Sequence, residues 1–181
     1  KKKIIDKIVK PTLLALKKKK NPYSGFLYVG LMIKNNEPYL IEYNIRMGDP
    51  ECQVILPRLK TDLIKIINAV SENKLKKINI KFKKEKSMTI VLCSKGYPGN
   101  YKKNLNLSKI QNFKLSNKSF IYHAGTKILN NKIVSCGGRV LNITSVGSDY
   151  LKIRNKILAI LKKINWSYGF YRKDIGWRAI K

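Results

Sequence analysis

Two apolar runs of β-strand character flank one short polar tetrapeptide, and this arrangement constrains the chain more than any other feature. Residues 25–34 (GFLYVGLMIK) and 39–46 (YLIEYNIR) are rich in aromatic and branched aliphatic side chains. Asn35, Asn36, Glu37 and Pro38 between them supply turn chemistry. The two runs are expected to pair as an antiparallel hairpin, so a sheet sits among segments of helical period.

Before the hairpin, residues 3–20 carry Ile4, Ile5, Ile8, Val9, Leu13 and Leu16 at near-helical spacing, with Pro11 expected to kink or restart the helix. Its Lys17–Lys20 run suits the negative end of a helix dipole. After the hairpin, MGDP reads as a loop. Residues 51–70 are again helical, interrupted at Pro57, with Thr61 or Asp62 as an N-cap. The polar and basic stretch 71–86, with a short strand at 78–82, marks a domain boundary. A second unit follows. It has a strand at 88–93, the turn GYPGNY, then FIYHAG, a strand at 126–129, the turn Asn130-Asn131 and KIVS as a meander. GGRVLNITSVG adds a strand. Residues 148–163 form an amphipathic helix with Tyr150, Leu151, Ile153, Ile157, Leu158, Ile160 and Leu161 near one face. The expected fold is α+β: residues 1–86 with an antiparallel sheet and helices, then a small mixed, β-rich domain over 87–181.

Length and composition agree with folded domains. With 181 residues and 44% apolar content the chain has the means to bury a core, which a disordered sequence lacks. No apolar run approaches bilayer thickness, and no apolar segment follows the charged N-terminus as a secretory signal requires. The opening Lys-Lys-Lys without an initiating Met leads to the expectation of a piece of a longer polypeptide. Cys52, Cys93 and Cys136 are odd in number and far apart, which predicts free structural thiols in a reducing compartment.

A formal charge of +29 raises the question of nucleic acid. Only six of the 39 basic residues are arginine, the side chain that phosphate and base edges favour. The lysines are scattered among many Ile and Asn residues, a bias that fits codons drawn from an A+T-rich genome. A basic nucleic-acid-binding module therefore remains only as the minor alternative.

Against that background the carboxylates are informative. Glu42, Asp49 and Glu51, three of ten acidic residues, lie within one short stretch, IEYNIRMGDPE. In a strand alternate side chains share a face, so Glu42, Asn44 and Arg46 are expected on one side and Ile41, Tyr43 and Ile45 on the core side. Oxygen donors from Glu and Asn suit a hard divalent cation that also binds nucleotide phosphates. The adjacent guanidinium suits a transferring phosphoryl group. The same three residues also suit a solvated strand face on which Glu42 pairs with Arg46. The lone His123 is more in keeping with packing than with catalysis, and Arg172 and Lys173 with structure.

The stretch GFLYVGLMIKNNEPYLIEYNIRMGDPECQVILPRL resembles the C-terminal part of the ATP-grasp domain of the phosphoribosylamine–glycine ligase (glycinamide ribonucleotide synthetase) family. GYPGNY, HAGTK, GGRVL and FYRKDIGWRA resemble that family's C-terminal domain, in the same order. Only 71–86 and 102–118 match loosely. Met47 and Cys52 stand where Phe and Thr are expected, which leaves the polar set intact.

The resemblance implies an ATP-dependent carbon–nitrogen ligase of purine biosynthesis. ATP phosphorylates glycine, and the amine of 5-phosphoribosylamine displaces phosphate to give glycinamide ribonucleotide. It implies Glu42 and Asn44 as ligands of Mg²⁺ or Mn²⁺ and Arg46 as the catalytic cation. It further implies Asp49, Glu51, Gly138 and Arg139 beside the substrates, with Glu51 equally suited to starting a helix and Arg139 to a local ion pair. A cytoplasmic, monomeric enzyme follows, of which these residues are an inactive part when alone. Other ATP-grasp ligases share Glu-x-Asn-x-Arg, so another carboxylate–amine ligase stays open; the GDPE loop and the C-terminal motifs favour the glycine enzyme.

Overall fold

Asn35 and Asn36 both adopt positive φ (51° and 60°), which closes the hairpin in two residues rather than four. Such a turn matches the right-handed twist of the strands it joins, and asparagine tolerates the left-handed region. The computed structural model describes residues 1–180. Its strands pair only antiparallel, and helices pack with them in an α+β arrangement. The chain divides into two compact units, Lys1–Asp49 with Lys60–Lys81, and Pro50–Leu59 with the residues from Phe82 onward.

In the first unit a helix runs over residues 2–18 as α1 (Lys2–Ile4), a π-helical turn (Ile5–Val9) and α2 (Lys10–Lys18). The widened turn sits directly before Pro11. A proline lacks an N–H and its ring crowds the carbonyl four residues back, and one inserted residue relieves both. Lys10 N–H accordingly bonds to Ile5 O. Pro11 therefore neither restarts nor ends the helix. Strands β1 (Tyr28–Lys34) and β2 (Glu37–Asn44) follow. The helix is tied to them by Lys3 and Lys7, 2.5 and 2.8 Å from the Glu37 carboxylate, and by a 2.5 Å bond between Thr12 Oγ1 and Tyr43 OH. The hydrogen bonds from Lys3 and then Lys7 hold the Glu37 pKa down at about 2. Helix α4 (Leu63–Ser71) is capped by Asp62, which accepts from Ile64 N and Lys65 N, while Thr61 Oγ1 instead accepts from Lys81 N. No strand forms at 78–82: Leu75–Lys77 is a 3₁₀ turn and the chain returns to Lys60 through single bonds.

The β1–β2 sheet has only two strands, and its apolar side chains are not buried. Ile41 is 63% and Ile45 76% exposed, so they do not pack on a core as strand alternation predicts. Tyr43 alone of that set is half-buried. The register explains part of this. Gly30 pairs with Glu42 but Leu31 pairs with Leu40, which leaves Ile41 as the extra residue of a bulge.

The second unit holds the main core. Its sheet runs β4 (Ser119–His123), β7 (Arg139–Gly147), β3 (Lys86–Ser94), β8 (Gly169–Phe170), with β7 and β3 central. Leu141 and Ile143 pair with Leu92 and Ile90 and face helix α5 (Tyr150–Ile164), whose Ile153, Ile157, Ile160, Leu161 and Ile164 are buried. Asp149 caps this helix through Lys152 N, and Asn165 ends it in the left-handed conformation. Leu151, expected on the packed face, is 48% exposed. The segment 50–59, helix α3 (Cys52–Ile55) and the 3₁₀ turn Leu56–Arg58, contacts β3 and β7. Pro57, Phe120 and Val146 line one small cavity on the face away from α5. The expected meander does not form. β4 pairs with β7, while β5 (Thr126–Leu129) and β6 (Lys132–Ser135) make a separate ribbon across Asn130-Asn131. The short helix α6 (Trp177–Ile180) ends the described chain.

Candidate functional site

Strand β2 presents Glu42 and Asn44 on one side, two residues apart, as its period dictates. Asn44 Nδ2 donates to Glu42 Oε1 at 3.1 Å. The amide is thereby oriented against the carboxylate. Opposite Glu42 the ladder holds Gly30, where an added Cβ would lie 2.9 Å from Glu42 Cγ. Gly30 clears the space that the carboxylate occupies. Sequence reasoning passed over Gly30; its signal was a glycine inside a run otherwise suited to a strand, which marks a bulge or a close approach.

Arg46 is placed differently from expectation. The ladder ends at the pair Tyr28–Asn44, and residues 45–46 bend away from it. Strand alternation therefore does not align Arg46 with Glu42 and Asn44. Its Nη1 donates to Met47 O at 2.8 Å, and the side chain is exposed. No Glu42–Arg46 ion pair forms within 4 Å. Asp49 closes the first unit and Glu51 belongs to the second, where it stands at the N-cap of α3 without a side-chain capping bond. Both are half-buried.

Glu42 and Asn44 supply hard oxygen donors, which fits a magnesium-type ion held by one or two side chains together with phosphate and water. Among the described residues no three His, Cys, Asp or Glu side chains gather as a metal cage.

In the second unit Gly138 and Arg139 lie where GGRVL enters β7. The loop is built on close backbone contacts. A Cβ at Gly138 would come 2.0 Å from the Tyr97 ring, and one at Gly125 would come 2.6 Å from Gly137 Cα. Ser94, fully buried, fixes the same loop twice: its N–H donates to Gly138 O at 2.8 Å and its Oγ to Gly137 O at 3.0 Å. Gly138 is thus required by Tyr97 packing, whatever else approaches it. Arg139 O accepts from Gly125 N at 2.8 Å, which anchors the backbone at the base of its exposed side chain. Burial pushes the neighbouring Cys93 thiol up, partly opposed by the Arg139 charge.

His123 is exposed, and its Nδ1 lies 2.8 Å from Thr126 Oγ1 across the HAGT turn. Arg172 forms a paired contact with Asp174 (3.1 and 2.6 Å), an exposed local fork. All three cysteines are half-buried and outside any disulfide. No helix among the described residues is long and apolar enough to cross a membrane.

Residues 1–52 match the sequence family described as phosphoribosylglycinamide synthetase, ATP-grasp (A) domain, and residues 87–178 match phosphoribosylglycinamide synthetase, C domain. The chain is 43% identical over 173 residues to a protein of Agrobacterium fabrum named phosphoribosylamine–glycine ligase, covering 96% of this chain and 40% of that one. A protein of the same name from Caldanaerobacter subterraneus is 43% identical over 172 residues, covering 95% and 40%. The crystal structure of the Thermotoga maritima phosphoribosylamine–glycine ligase superposes with a TM-score of 0.74 at 30% identity, over 94% of this chain and 41% of that one. The chain spans about two fifths of the length of these relatives.

Proposed function

Because this chain belongs to the phosphoribosylglycinamide synthetase family, we propose that it is the C-terminal part of a ligase that joins glycine to 5-phosphoribosylamine at the expense of ATP. Residues 1–86 are the end of the ATP-grasp domain and 87–181 the C-terminal domain. The observation that carries this reading is the position of the oxygen-donor pair. Glu42 and Asn44 fall inside the ATP-grasp match, in a chain whose second half matches the C domain of the same enzyme.

The chemical problem is an unreactive carboxylate. Glycine's carboxylate oxygen attacks the γ-phosphorus of ATP, the bond to the β-phosphate oxygen breaks, and ADP leaves. The amine of phosphoribosylamine then attacks the acyl carbon, phosphate leaves with the C–O bond electrons, and the amine proton passes to solvent. The glycine carboxylate, ATP and the phosphate of phosphoribosylamine all carry negative charge, so the site must supply positive charge. Mg²⁺ or Mn²⁺, when bound, provides Lewis-acid charge on the phosphate oxygens. Glu42 and Asn44 are the side chains that hold it, with Asn44 oriented by its bond to Glu42. Arg46 steadies the transferring phosphoryl group or the glycine carboxylate once its bond to Met47 O is exchanged for substrate. Asp49 and Glu51 shape the loop beside the substrates, and Arg139, at the mouth of the loop built on Gly138, meets the phosphate of phosphoribosylamine. Three cysteines with no disulfide among them suit a reducing compartment such as the cytoplasm.

The test is ADP release by the complete protein that carries these residues. The reading predicts release that requires both glycine and phosphoribosylamine and that Glu42→Gln abolishes. Release driven by bicarbonate or formate instead would assign a different ATP-grasp ligase. Full turnover by the 181 residues alone would overturn the proposal that they are an incomplete enzyme.

A further inference from the structure

The second unit carries a groove that the ligase reading does not use. A cavity of about 570 Å³ is lined by Lys95, Tyr101, Lys102 and Tyr168 among others, and a second of about 260 Å³ adjoins it across Tyr168, with Lys109 and Trp166 in its wall. We propose that this groove binds a nucleoside monophosphate, with the base on its aromatic rings and the phosphate on its lysines.

Three observations support the assignment. First, the lining chemistry has two parts and lacks a third. Tyr101, Trp166 and Tyr168 supply aromatic surface, three lysines supply positive charge, and no Asp or Glu lines either cavity. Stacking on aromatic rings beside cations is how proteins hold bases and their phosphates with little sequence preference.

Second, the walls are preformed. Lys95 N–H donates to Tyr168 O at 2.9 Å, at the edge where Ser94 pairs with Gly169. Leu105 N and Leu105 O both bond to Ser135, and Trp166 Nε1 donates to Asn106 O at 3.0 Å. The rings are also braced against one another, Trp166 edge-on to Tyr168 with centroids 6.3 Å apart, and Tyr97 edge-on to Tyr101 at 6.2 Å. A rigid site loses little entropy on binding.

Third, Tyr168 stays 50% exposed although it joins both cavities, so an aromatic surface is left open in the groove. The larger cavity lies in the size range of small-molecule sites. Its volume of about 570 Å³ leaves room for a mononucleotide. A single strand of nucleic acid would use the same chemistry repeated along a longer track, and the test separates the two.

Calorimetric titration of the 181-residue chain with AMP, in EDTA, is the experiment. Chelation silences nucleotide binding that needs a cation at Glu42, and the Tyr168 and lysine variants separate the groove from a phosphate contact at Arg139. One saturable AMP site is expected, unchanged by Glu42→Gln. Tyr168→Ala should weaken it about tenfold or more, with Tyr168→Phe retaining it. Lys102→Ala, with Lys95→Ala added, should weaken it about tenfold. Adenosine and inorganic phosphate, each lacking one half of the recognition, should bind far more weakly. Should Tyr168→Ala fail to fold by circular dichroism, the lysine variants decide. Absence of saturable AMP binding overturns the proposal, as does binding that neither the Tyr168 nor the lysine changes affect. Strongly salt-dependent binding of oligoadenylate without binding of AMP also overturns it, in favour of a nucleic-acid surface.

Discussion

Asn44 Nδ2 lies 3.1 Å from Glu42 Oε1, and this bond couples the two side chains on one side of the strand. Two consequences follow for the proposed cation-binding pair. Replacing Asn44 by Asp removes the donor and sets a second carboxylate against Glu42, while replacing Gly30 places a methyl 2.9 Å from Glu42 Cγ. For the complete protein, Gly30→Ala is expected to lower glycine-dependent ADP release by about 10- to 100-fold, as for other changes that misorient a metal ligand. Asn44→Asp should shift the dependence on Mg²⁺ concentration. Steady-state kinetics across a magnesium series checks both, and unaltered kinetics in Gly30→Ala would remove Glu42 from the site.

Gly138 and Tyr97 form a second close pair. A Cβ at Gly138 would sit 2.0 Å from the Tyr97 ring, a contact that must be relieved by moving the ring or the loop. Gly138→Ala is predicted to cost about 1–3 kcal/mol in the second unit. Tyr97→Ala in the same chain should recover part of that loss. Urea denaturation of the two single variants and the double variant gives the coupling directly; additive losses would mean the ring is not the obstacle.

Ile157 and Ile45 predict opposite outcomes from the same kind of change. Ile157 is fully buried beneath the sheet, whereas Ile45 is 76% exposed. Ile157→Ala should cost about 2–5 kcal/mol through lost contacts and a cavity. Ile45→Ala should stay within about 0.5 kcal/mol in the 181-residue chain. Chemical denaturation of the two variants distinguishes a core in the second unit from one shared with the hairpin face.

Glu37 predicts an acid-sensitive link between the first helix and the hairpin turn. Hydrogen bonds from Lys3 and Lys7 hold its pKa at about 2 against an ordinary 4.5. A carboxyl depressed on folding contributes stability that is present above its unfolded pKa. That contribution is lost as pH falls from the ordinary value through about 2. Carbon-detected NMR titration should place the Glu37 midpoint near 2 in low salt, with Lys3→Ala plus Lys7→Ala returning it toward 4.5. Added salt should raise the midpoint of the unaltered chain, because the groups are exposed.

Asp62 predicts a local effect. It accepts two backbone N–H bonds at the start of α4, so Asp62→Ala should cost about 1 kcal/mol. Thr61→Ala removes instead the bond to Lys81 N. Hydrogen exchange within Leu63–Ser71 separates the two: it should accelerate at the helix N-terminus for Asp62→Ala only.

Local chemistry and period were legible from residues alone. The hairpin, the Asp62 cap, the Asn130-Asn131 turn and the amphipathic helix ending at Asn165 each depend on a few neighbouring residues, so the sequence determines them. The same holds for Glu42 beside Asn44, since strand period alone puts them on one side. Whatever depended on a distant partner was decided by the tertiary structure. Arg46 left the shared face because the ladder has no partner beyond Tyr28, and Ile41 shifted because the register slips by one residue opposite Leu31. β4 joined β7 and not β5, which sets β7, with Leu141 and Ile143 in the core against α5, between two strands. Gly138 answers to the ring of Tyr97, some forty residues earlier in the chain. Hydrogen-bond geometry within a turn is written in adjacent residues; the partner across a sheet is chosen by the burial of the whole, and no local pattern contains it.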